Sequence, residues 1–190
     1  GTFNVWTKRV GNNPTVKLLL LHGGPAATHE YFEAFDSFLP AAGVEYYYYD
    51  QLGSFYSDHP DDDSLYELPR FTEEVEQVRQ ALGLDRDNFY LLGHSWGGIL
   101  ATEYALKYQQ HLKGLIISNM MSSIPAYVEY ANNVLMPAMD QKVLAEVKEA
   151  VQRRAEKAAE KEKDKAARNK ARTKAKPKPS AAKKPNHKKR

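Results

Sequence analysis

The segment with the clearest capacity for chemistry is residues 93–98, with the sequence GHSWGG. The spacing Gly-x-Ser-x-Gly is that of a nucleophile elbow, a sharp turn between a strand and a helix. Only glycine fits at both flanks of such a turn without a Cβ clash, and the serine hydroxyl stands at the edge of the sheet. The sequence therefore predicts that Ser95 is a nucleophile. The alternative is a Gly-Ser loop that only turns the chain.

The residues around this motif indicate the strand and the helix that an elbow requires. Residues 89–92 are apolar and aromatic, and residues 99–101 continue into a segment that is expected to be helical to about Gln110. The amino-terminal N–H groups of that helix would point at any negative oxygen that forms near Ser95. The pattern thus predicts a donor-rich site beside the serine.

Four more segments have strand patterns, and two have helix patterns. Residues 3–10 alternate as in a strand with one wet face, whereas residues 16–21 form an apolar run typical of a buried parallel strand. Residues 44–49 and 112–118 are the other two strands. Thr28 is expected to cap a helix through Leu39. The inner face of this helix would carry Tyr31, Phe32, Phe35, Phe38 and Leu39.

The second helix pattern has a 4-3-4 spacing of apolar residues that ends at a glycine, Gly83. Its apolar members are Phe71, Val75, Val78 and Leu82. The alternation of strands and helices predicts an α/β fold with a mostly parallel sheet and flanking helices. Such sheets place their chemistry at the carboxyl ends of the strands. Three strand ends have unusual residues, at 22–25 (HGGP), 50–53 (DQLG) and 93–95 (GHS), and we expect them to converge on one edge.

The charge balance divides the chain into two dissimilar parts. Residues 1–150 carry 10 basic and 20 acidic side chains. Residues 151–190 carry 17 basic and 4 acidic side chains. All the Trp, Tyr and Phe residues precede residue 150, so the core must lie there. We predict an α/β core at 1–120, the start of a helical cap at 121–150 and a Lys/Ala-rich tail at 151–190. The tail favours helix locally and is expected to be disordered after Thr173.

The basic tail leaves two interpretations open. It is either a solvated extension, or a replacement for the rest of the fold, or a segment that binds nucleic acid or anionic surfaces without specificity. The tail has no aromatic residues, so stacking on bases is excluded.

Several classes of site are not expected. The chain has no cysteine, which excludes disulfides, thiol catalysis and cysteine-based zinc sites, and fits a reducing, cytoplasmic location. The acidic run at 58–63 lacks the ligand alternation of a calcium loop and is predicted to be a solvated loop. No apolar stretch approaches the length of a membrane span, and no signal-peptide segment is evident. We predict no metal and no cofactor.

Three motifs together resemble a known family. The turn at 22–25, the segment 50–58 (DQLGSFYSD) and residues 93–98 are similar in order and spacing to those of the proline iminopeptidases. These are α/β-hydrolase serine peptidases that remove N-terminal proline from peptides. Residues 112–121 also resemble the strand that precedes the helical cap of the family. The resemblance covers about residues 3–150.

The resemblance implies roles for individual residues. Ser95 would be the acylated nucleophile. The backbone N–H of Trp96, with one from Gly23 or Gly24, would form the oxyanion hole, and Trp96 would also wall the pocket for the proline ring. His22 and His94 would support the loops instead of acting as the general base. The implied partner is a peptide with N-terminal proline.

The sequence also departs from the family. In α/β-hydrolases the acid and then the base follow the nucleophile along the chain. Only His111 and His187 follow Ser95, and Asp140 is expected to start a helix. We therefore expect the chain to correspond to the front half of the family, with little or no activity alone.

A second departure is Ala26, which stands where the family usually has glycine. A positive φ there would strain the oxyanion loop by about 1 kcal/mol. An esterase or lactonase of the same fold remains an alternative to the peptidase, because the cap that would select the substrate is not recognisable.

Overall fold

The computed structural model describes residues 3–174 and divides into two compact units between Ile124 and Pro125. The first unit contains a five-stranded sheet with the order β1-β3-β2-β4-β5. Strand β1 runs antiparallel to β3, and all the other neighbouring pairs are parallel. The predicted α/β fold is thus confirmed. The strands are β1 (Trp6–Val10), β2 (Lys17–Leu21), β3 (Glu45–Asp50), β4 (Phe89–His94) and β5 (Gly114–Ser118).

The apolar run of β2 lies in the centre of the sheet, where both faces need cover. Leu19 and Leu21 point to one face and pack with Phe71 and Leu100. Leu18 and Leu20 point to the opposite face. All four leucines of β2 are buried, so the unbroken hydrophobic pattern reflects a central parallel strand.

Two α-helices cover the Leu19 face. Helix α1 spans Leu68–Ala81, and helix α2 spans Trp96–Tyr108. The 4-3-4 pattern predicted α1, and Gly83 beyond its end has φ of +62°, which favours glycine.

The helix predicted over residues 28–39 is present, but it is not an α-helix. It is a 3₁₀ helix over His29–Ser37, and the Thr28 side chain caps it by accepting the Glu30 N–H. With three residues per turn, Phe32 and Phe35 share the inner face and pack in the core. Tyr31 falls on a different face, and Phe38 lies beyond the helix end, so both are exposed and their predicted place in the inner stripe was wrong.

The second unit is helical. It includes the greater part of α3 (Ile124–Tyr130), a π-helical turn (Ala131–Leu135), the short α4 (Met136–Ala138) and the long α5 (Gln141–Lys174). Asp140 Oδ1 accepts the backbone N–H groups of Lys142 at 2.9 Å and Val143 at 3.2 Å. Its predicted role as a helix-start residue is confirmed.

Helix α5 crosses residue 150 without a break. The division of the chain into domains at residues 120 and 150 remains a prediction. The stretch predicted to be disordered lies, except for its first residue, outside the described residues. Across residues 3–174, no helix combines the length and the apolar character that a membrane crossing would need.

A buried carboxylate joins α1 to α2. Glu76 accepts hydrogen bonds from the Arg79 guanidinium at 2.7 and 2.8 Å, from Gln80 at 2.8 Å and from the Tyr104 hydroxyl at 2.8 Å. Burial alone would raise the pKa of Glu76, but these donors outweigh it and lower the pKa to about 2. The ionised carboxylate is therefore the form that the fold stabilises.

We predict that the first unit loses stability in acid through Glu76. Its contribution is fully present above the unfolded pKa of about 4.5 and declines as the pH falls toward 2, by on the order of 2 kcal/mol. Urea unfolding of wild type and Glu76→Gln at pH 7 and pH 3 should show a smaller pH dependence in the variant. Glu33→Gln, at an exposed glutamate, is the control and should behave as wild type. An equal pH dependence in Glu76→Gln would contradict the assignment.

Candidate active site

The backbone at Ser95 has the strained geometry of a nucleophile elbow. Ser95 lies between β4 and α2 with φ of 54° and ψ of −123°, a region that residues with side chains seldom adopt. A Cβ atom at Gly93 would lie 2.2 Å from the carbonyl oxygen of Gly97, and one at Gly97 would lie 2.2 Å from that of Leu21. The prediction that only glycine fits at both flanks is confirmed.

Neighbouring segments hold this turn in place. The Ser95 N–H donates to the carbonyl oxygen of Ser118 at the end of β5, at 3.0 Å. The Gly98 N–H donates to the Ser95 carbonyl oxygen at 2.9 Å, and a Cβ at Gly98 would meet Met120 at 2.8 Å. The strain at Ser95 persists because contacts on several sides fix the backbone.

The loop after β2 touches the nucleophile directly. A Cβ at Gly23 would lie 2.9 Å from Ser95 Cβ and 3.4 Å from Ser95 Oγ. The next residues have left-handed backbone, with φ of 119° at Gly24 and 65° at Ala26. Ala26 therefore has the positive φ at which an alanine would be strained.

The His22 side chain bonds this loop to the end of β3. Its ring is fully buried; Nδ1 lies 2.9 Å from the Gly23 carbonyl oxygen, and Nε2 accepts the Gln51 N–H at 3.1 Å. Those partners fix the neutral ring with the proton on Nδ1. Burial lowers the pKa of His22, although the bond to Gly23 opposes the shift. The ring has no route to Ser95 Oγ because both nitrogens are occupied.

The carboxyl end of β3 is anchored to the same region. The Asp50 carboxylate is fully buried and accepts the His29 backbone N–H at 3.0 Å and the His29 ring at 2.9 Å. Trp6 stacks on His29 with ring centroids 4.4 Å apart. The Gln51 side-chain amide donates to the His22 carbonyl oxygen at 3.0 Å. The predicted convergence of three strand ends is confirmed by these direct contacts.

Trp96 forms the other side of the site. It is the first residue of α2, so its N–H has no acceptor within the helix. Its ring is half-buried and meets Phe71 edge-on, with centroids 5.3 Å apart. The Trp96 N–H is thus available next to Ser95, while its ring packs against the core, and both predicted roles of Trp96 stay predictions.

No histidine within residues 3–174 forms a hydrogen bond with Ser95 Oγ. His94 is the last residue of β4, and its ring centroid lies 5.0 Å from that of Tyr31. His111 lies beyond the far end of α2, about 20 Å away along a 13-residue helix, with Nδ1 at 3.4 Å from Glu76 Oε2. His187 is outside the described residues.

The acidic loop has structural partners. Asp58 Oδ2 accepts the Asn4 N–H at 2.7 Å, and Asp62 caps a short 3₁₀ helix over Asp63–Leu65. Among the described residues, no three or more potential metal ligands cluster together.

Sequence reasoning missed two residues near the site, His29 and Tyr31. Both were placed in a helix on its apolar pattern, and neither was considered as a polar partner. The available signal was their position a few residues after the glycine turn, because polar side chains so near in sequence are within reach of the loop backbone.

The fold, the elbow and the comparisons define the class of protein. A sequence model of the α/β-hydrolase fold matches residues 17–178. The chain belongs to the α/β-hydrolase fold family.

Comparison with individual proteins narrows this class and confirms the resemblance to the proline iminopeptidases. The chain is 60% identical to the proline iminopeptidase of Flavobacterium johnsoniae over 149 residues, which cover 78% of this chain and 50% of the relative. It is 63% identical to that of Elizabethkingia meningoseptica over 148 residues, 78% of this chain and 49% of the relative. A solved structure of proline iminopeptidase from Mycobacterium smegmatis aligns with a TM-score of 0.68 and 28% identity, over 80% of this chain and 52% of that one. The chain spans about half the length of the curated relatives it matches.

We predict that Ala26→Gly stabilises the oxyanion loop relative to the matched change Ala27→Gly. Removing the Cβ at the positive φ of Ala26 relieves about 1 kcal/mol of strain, whereas Ala27 has no such strain and only gains backbone entropy on unfolding. Thermal and urea unfolding of both variants should place Ala26→Gly about 1 kcal/mol above Ala27→Gly. Equal stability of the two variants would argue against strain in this loop.

Proposed function

We propose that the chain supplies the nucleophile half of a serine hydrolase of proline iminopeptidase type. The observation that carries this proposal is the strained Ser95 elbow in contact with the Gly23 loop. The high identity to two proline iminopeptidases over the same region supports it. The substrate is then a peptide with N-terminal proline, and the reaction is acyl transfer to Ser95 followed by hydrolysis.

The chemistry follows from the positions of the groups. Ser95 Oγ attacks the carbonyl carbon of the proline residue, and the carbonyl oxygen becomes an oxyanion. A general base takes the hydroxyl proton and passes it to the leaving amine as the C–N bond breaks. Water then attacks the acyl-enzyme and releases proline. Two backbone donors aimed at the oxyanion would each contribute about 10²–10³ in rate.

The oxyanion donors are best assigned to Trp96 and Gly24. Gly23 is buried, and its N–H already donates to the Tyr31 hydroxyl at 2.5 Å. Gly24 is exposed beside the elbow. In the planar trans peptide between the two glycines, the N–H of Gly24 points away from the Gly23 carbonyl oxygen that His22 holds. This geometry favours Gly24 over Gly23 as the loop donor.

We further propose that these 190 residues alone turn over substrate slowly or not at all. In the described part of the chain no imidazole is bonded to Ser95 Oγ, and a serine without a base is an ordinary alcohol at neutral pH. Loss of the serine or histidine of a triad reduces turnover by about 10⁶. The remaining rate would come from the oxyanion donors and from binding.

The peptidase is favoured over an esterase or lactonase by the aromatic wall at Trp96, which suits a proline ring. The same elbow would attack an ester carbonyl, so the choice between amide and ester rests on a comparison of substrates. A cytoplasmic location remains a prediction.

Binding of nucleic acid or anionic surfaces by residues 151–190 also remains a prediction. The described part of α5 carries both signs of charge, with Arg153 paired to Glu149 at 3.6 Å. Glu156 accepts a hydrogen bond from Gln152 at 3.0 Å, so this section of the helix presents no purely basic face. No observation on the described residues favours this second function.

We predict that the chain alone releases no proline from a fluorogenic prolyl amide above a Ser95→Ala blank. Residues 1–150 followed by the carboxyl-terminal half of the Elizabethkingia relative should release it, because that half would add the missing acid and base. An alanyl amide and an aryl ester serve as comparison substrates.

In that chimera, Ser95→Ala should abolish the release of proline. A folded chimera with no prolyl amidase activity would contradict the proposed function. Ser95-dependent turnover by the unmodified chain would contradict its proposed inactivity.

A further inference from the structure

Tyr31 makes a polar contact with the loop that adjoins the nucleophile. Its hydroxyl oxygen accepts the Gly23 N–H at 2.5 Å. Its ring is held between Phe32, with centroids 4.5 Å apart, and His94, with centroids 5.0 Å apart. The side chain thus joins three parts of the site, namely the loop after β2, the 3₁₀ helix and the strand that enters the elbow.

The bond to Gly23 meets a physical requirement. Gly23 is buried against Ser95, and a buried N–H without an acceptor costs about as much as a lost hydrogen bond. On the other side of the same residue, the Gly23 carbonyl oxygen bonds to His22 Nδ1 at 2.9 Å and to the Ala27 N–H at 3.4 Å. Both peptide groups of Gly23 are therefore fixed, one by Tyr31 and the other by His22.

Fixing these two peptide planes determines the direction of the next N–H. Gly24 and Ala26 both have positive φ, and a loop with such backbone relaxes unless its surroundings over-determine it. If the Gly23 N–H lost its acceptor, the plane between His22 and Gly23 would be free to rotate. Rotation at Gly23 would strain the bond that His22 makes to the next plane and turn the Gly24 N–H away from the elbow.

We propose that Tyr31 is a positioning residue of the oxyanion loop: by accepting the Gly23 N–H, it holds the Gly24 N–H toward the oxygen bound at Ser95. This inference rests on the proposed function for the reaction that the loop serves. Tyr31 acts through Gly23 and contacts no reacting atom. Burial raises the pKa of Tyr31, so the hydroxyl stays neutral at the pH of such a reaction.

The test compares Tyr31→Phe with Tyr66→Phe in the 190-residue chain. Tyr31→Phe keeps the ring contacts and removes only the hydroxyl. Tyr66 is a matched control because it is similarly exposed and its hydroxyl donates to a carbonyl oxygen, that of Pro60, at 2.7 Å. Amide hydrogen exchange by NMR should be about tenfold faster at Gly23 in Tyr31→Phe and unchanged in Tyr66→Phe.

A second readout separates positioning from a purely structural role. Release of p-nitrophenol from p-nitrophenyl acetate at pH 9, corrected with Ser95→Ala, reports acylation of Ser95. We expect Tyr31→Phe to lower the maximal acylation rate about tenfold, with half-saturation unchanged and with the melting temperature lowered only by the few degrees that one lost hydrogen bond costs. Unchanged Gly23 exchange, or faster exchange with an unchanged acylation rate, would overturn the proposal.

If wild-type Ser95 does not react with this ester, the chain is inactive alone as proposed, and the chimera remains the test of the proposed function. The Gly24 amide then decides the role of Tyr31. A shifted or broadened Gly24 resonance in Tyr31→Phe alone would support the positioning role, and an unchanged one would overturn it.

Discussion

The structure depends on the close approach of the first turn of α2 to the carboxyl end of β2. The backbone of Gly97 lies so near the carbonyl oxygens of Leu21 and His22 that a Cβ would sit 2.2 and 2.6 Å from them. Gly23 approaches Ser95 in the same way from the neighbouring loop. At Gly97 the contact is with backbone, which could not move aside for a side chain. At Gly23 an added Cβ would meet Ser95 Cβ at 2.9 Å and the His94 carbonyl oxygen at 3.2 Å. The strained serine and the oxyanion loop can occupy one site because nothing larger than hydrogen lies between them.

Buried polar groups determine the direction of the loops once the strands have met. His22 is held neutral between the Gly23 carbonyl and the Gln51 N–H, and Asp50 holds His29 at the end of β3. Each of these groups would be costly to bury without its partner. The network therefore favours one arrangement of the loops, in which Ser95 is half-buried. In the described part of the chain, His22 and His29 support the backbone, and no imidazole is bonded to Ser95 Oγ.

Much of this fold could be predicted from the sequence because its signals are local. The GHSWGG motif requires a strand and a helix on either side, and the apolar run of β2 requires cover on both faces. The meeting of the three strand ends followed from parallel topology alone. The 3₁₀ helix over His29–Ser37 was predicted as an ordinary helix, because apolar periodicity at three and at 3.6 residues differs little over nine positions.

The remaining parts of the site depend on tertiary hydrogen bonds, which periodicity does not report. Tyr31 was assigned to an apolar stripe on its ring, but its hydroxyl bonds to a loop eight residues earlier. On α1 the apolar residues indicated the buried face, yet Glu74 and Glu76 are buried there as well. Arg79 and Gln80 lie within about one turn of Glu76, but Tyr104 on α2 is distant in sequence, so no local pattern could identify that bond.

The pH dependence of Ser95 modification tests the account most directly. The measurement is the rate at which a fluorophosphonate labels Ser95 between pH 5 and pH 10, followed by intact mass with Ser95→Ala as the blank. A serine on an elbow with donors but no base should react at a rate that rises steadily with hydroxide concentration and shows no plateau. A profile that levels off with a midpoint near the ordinary histidine pKa of about 6.5 would reveal an imidazole acting on Ser95 and contradict the account.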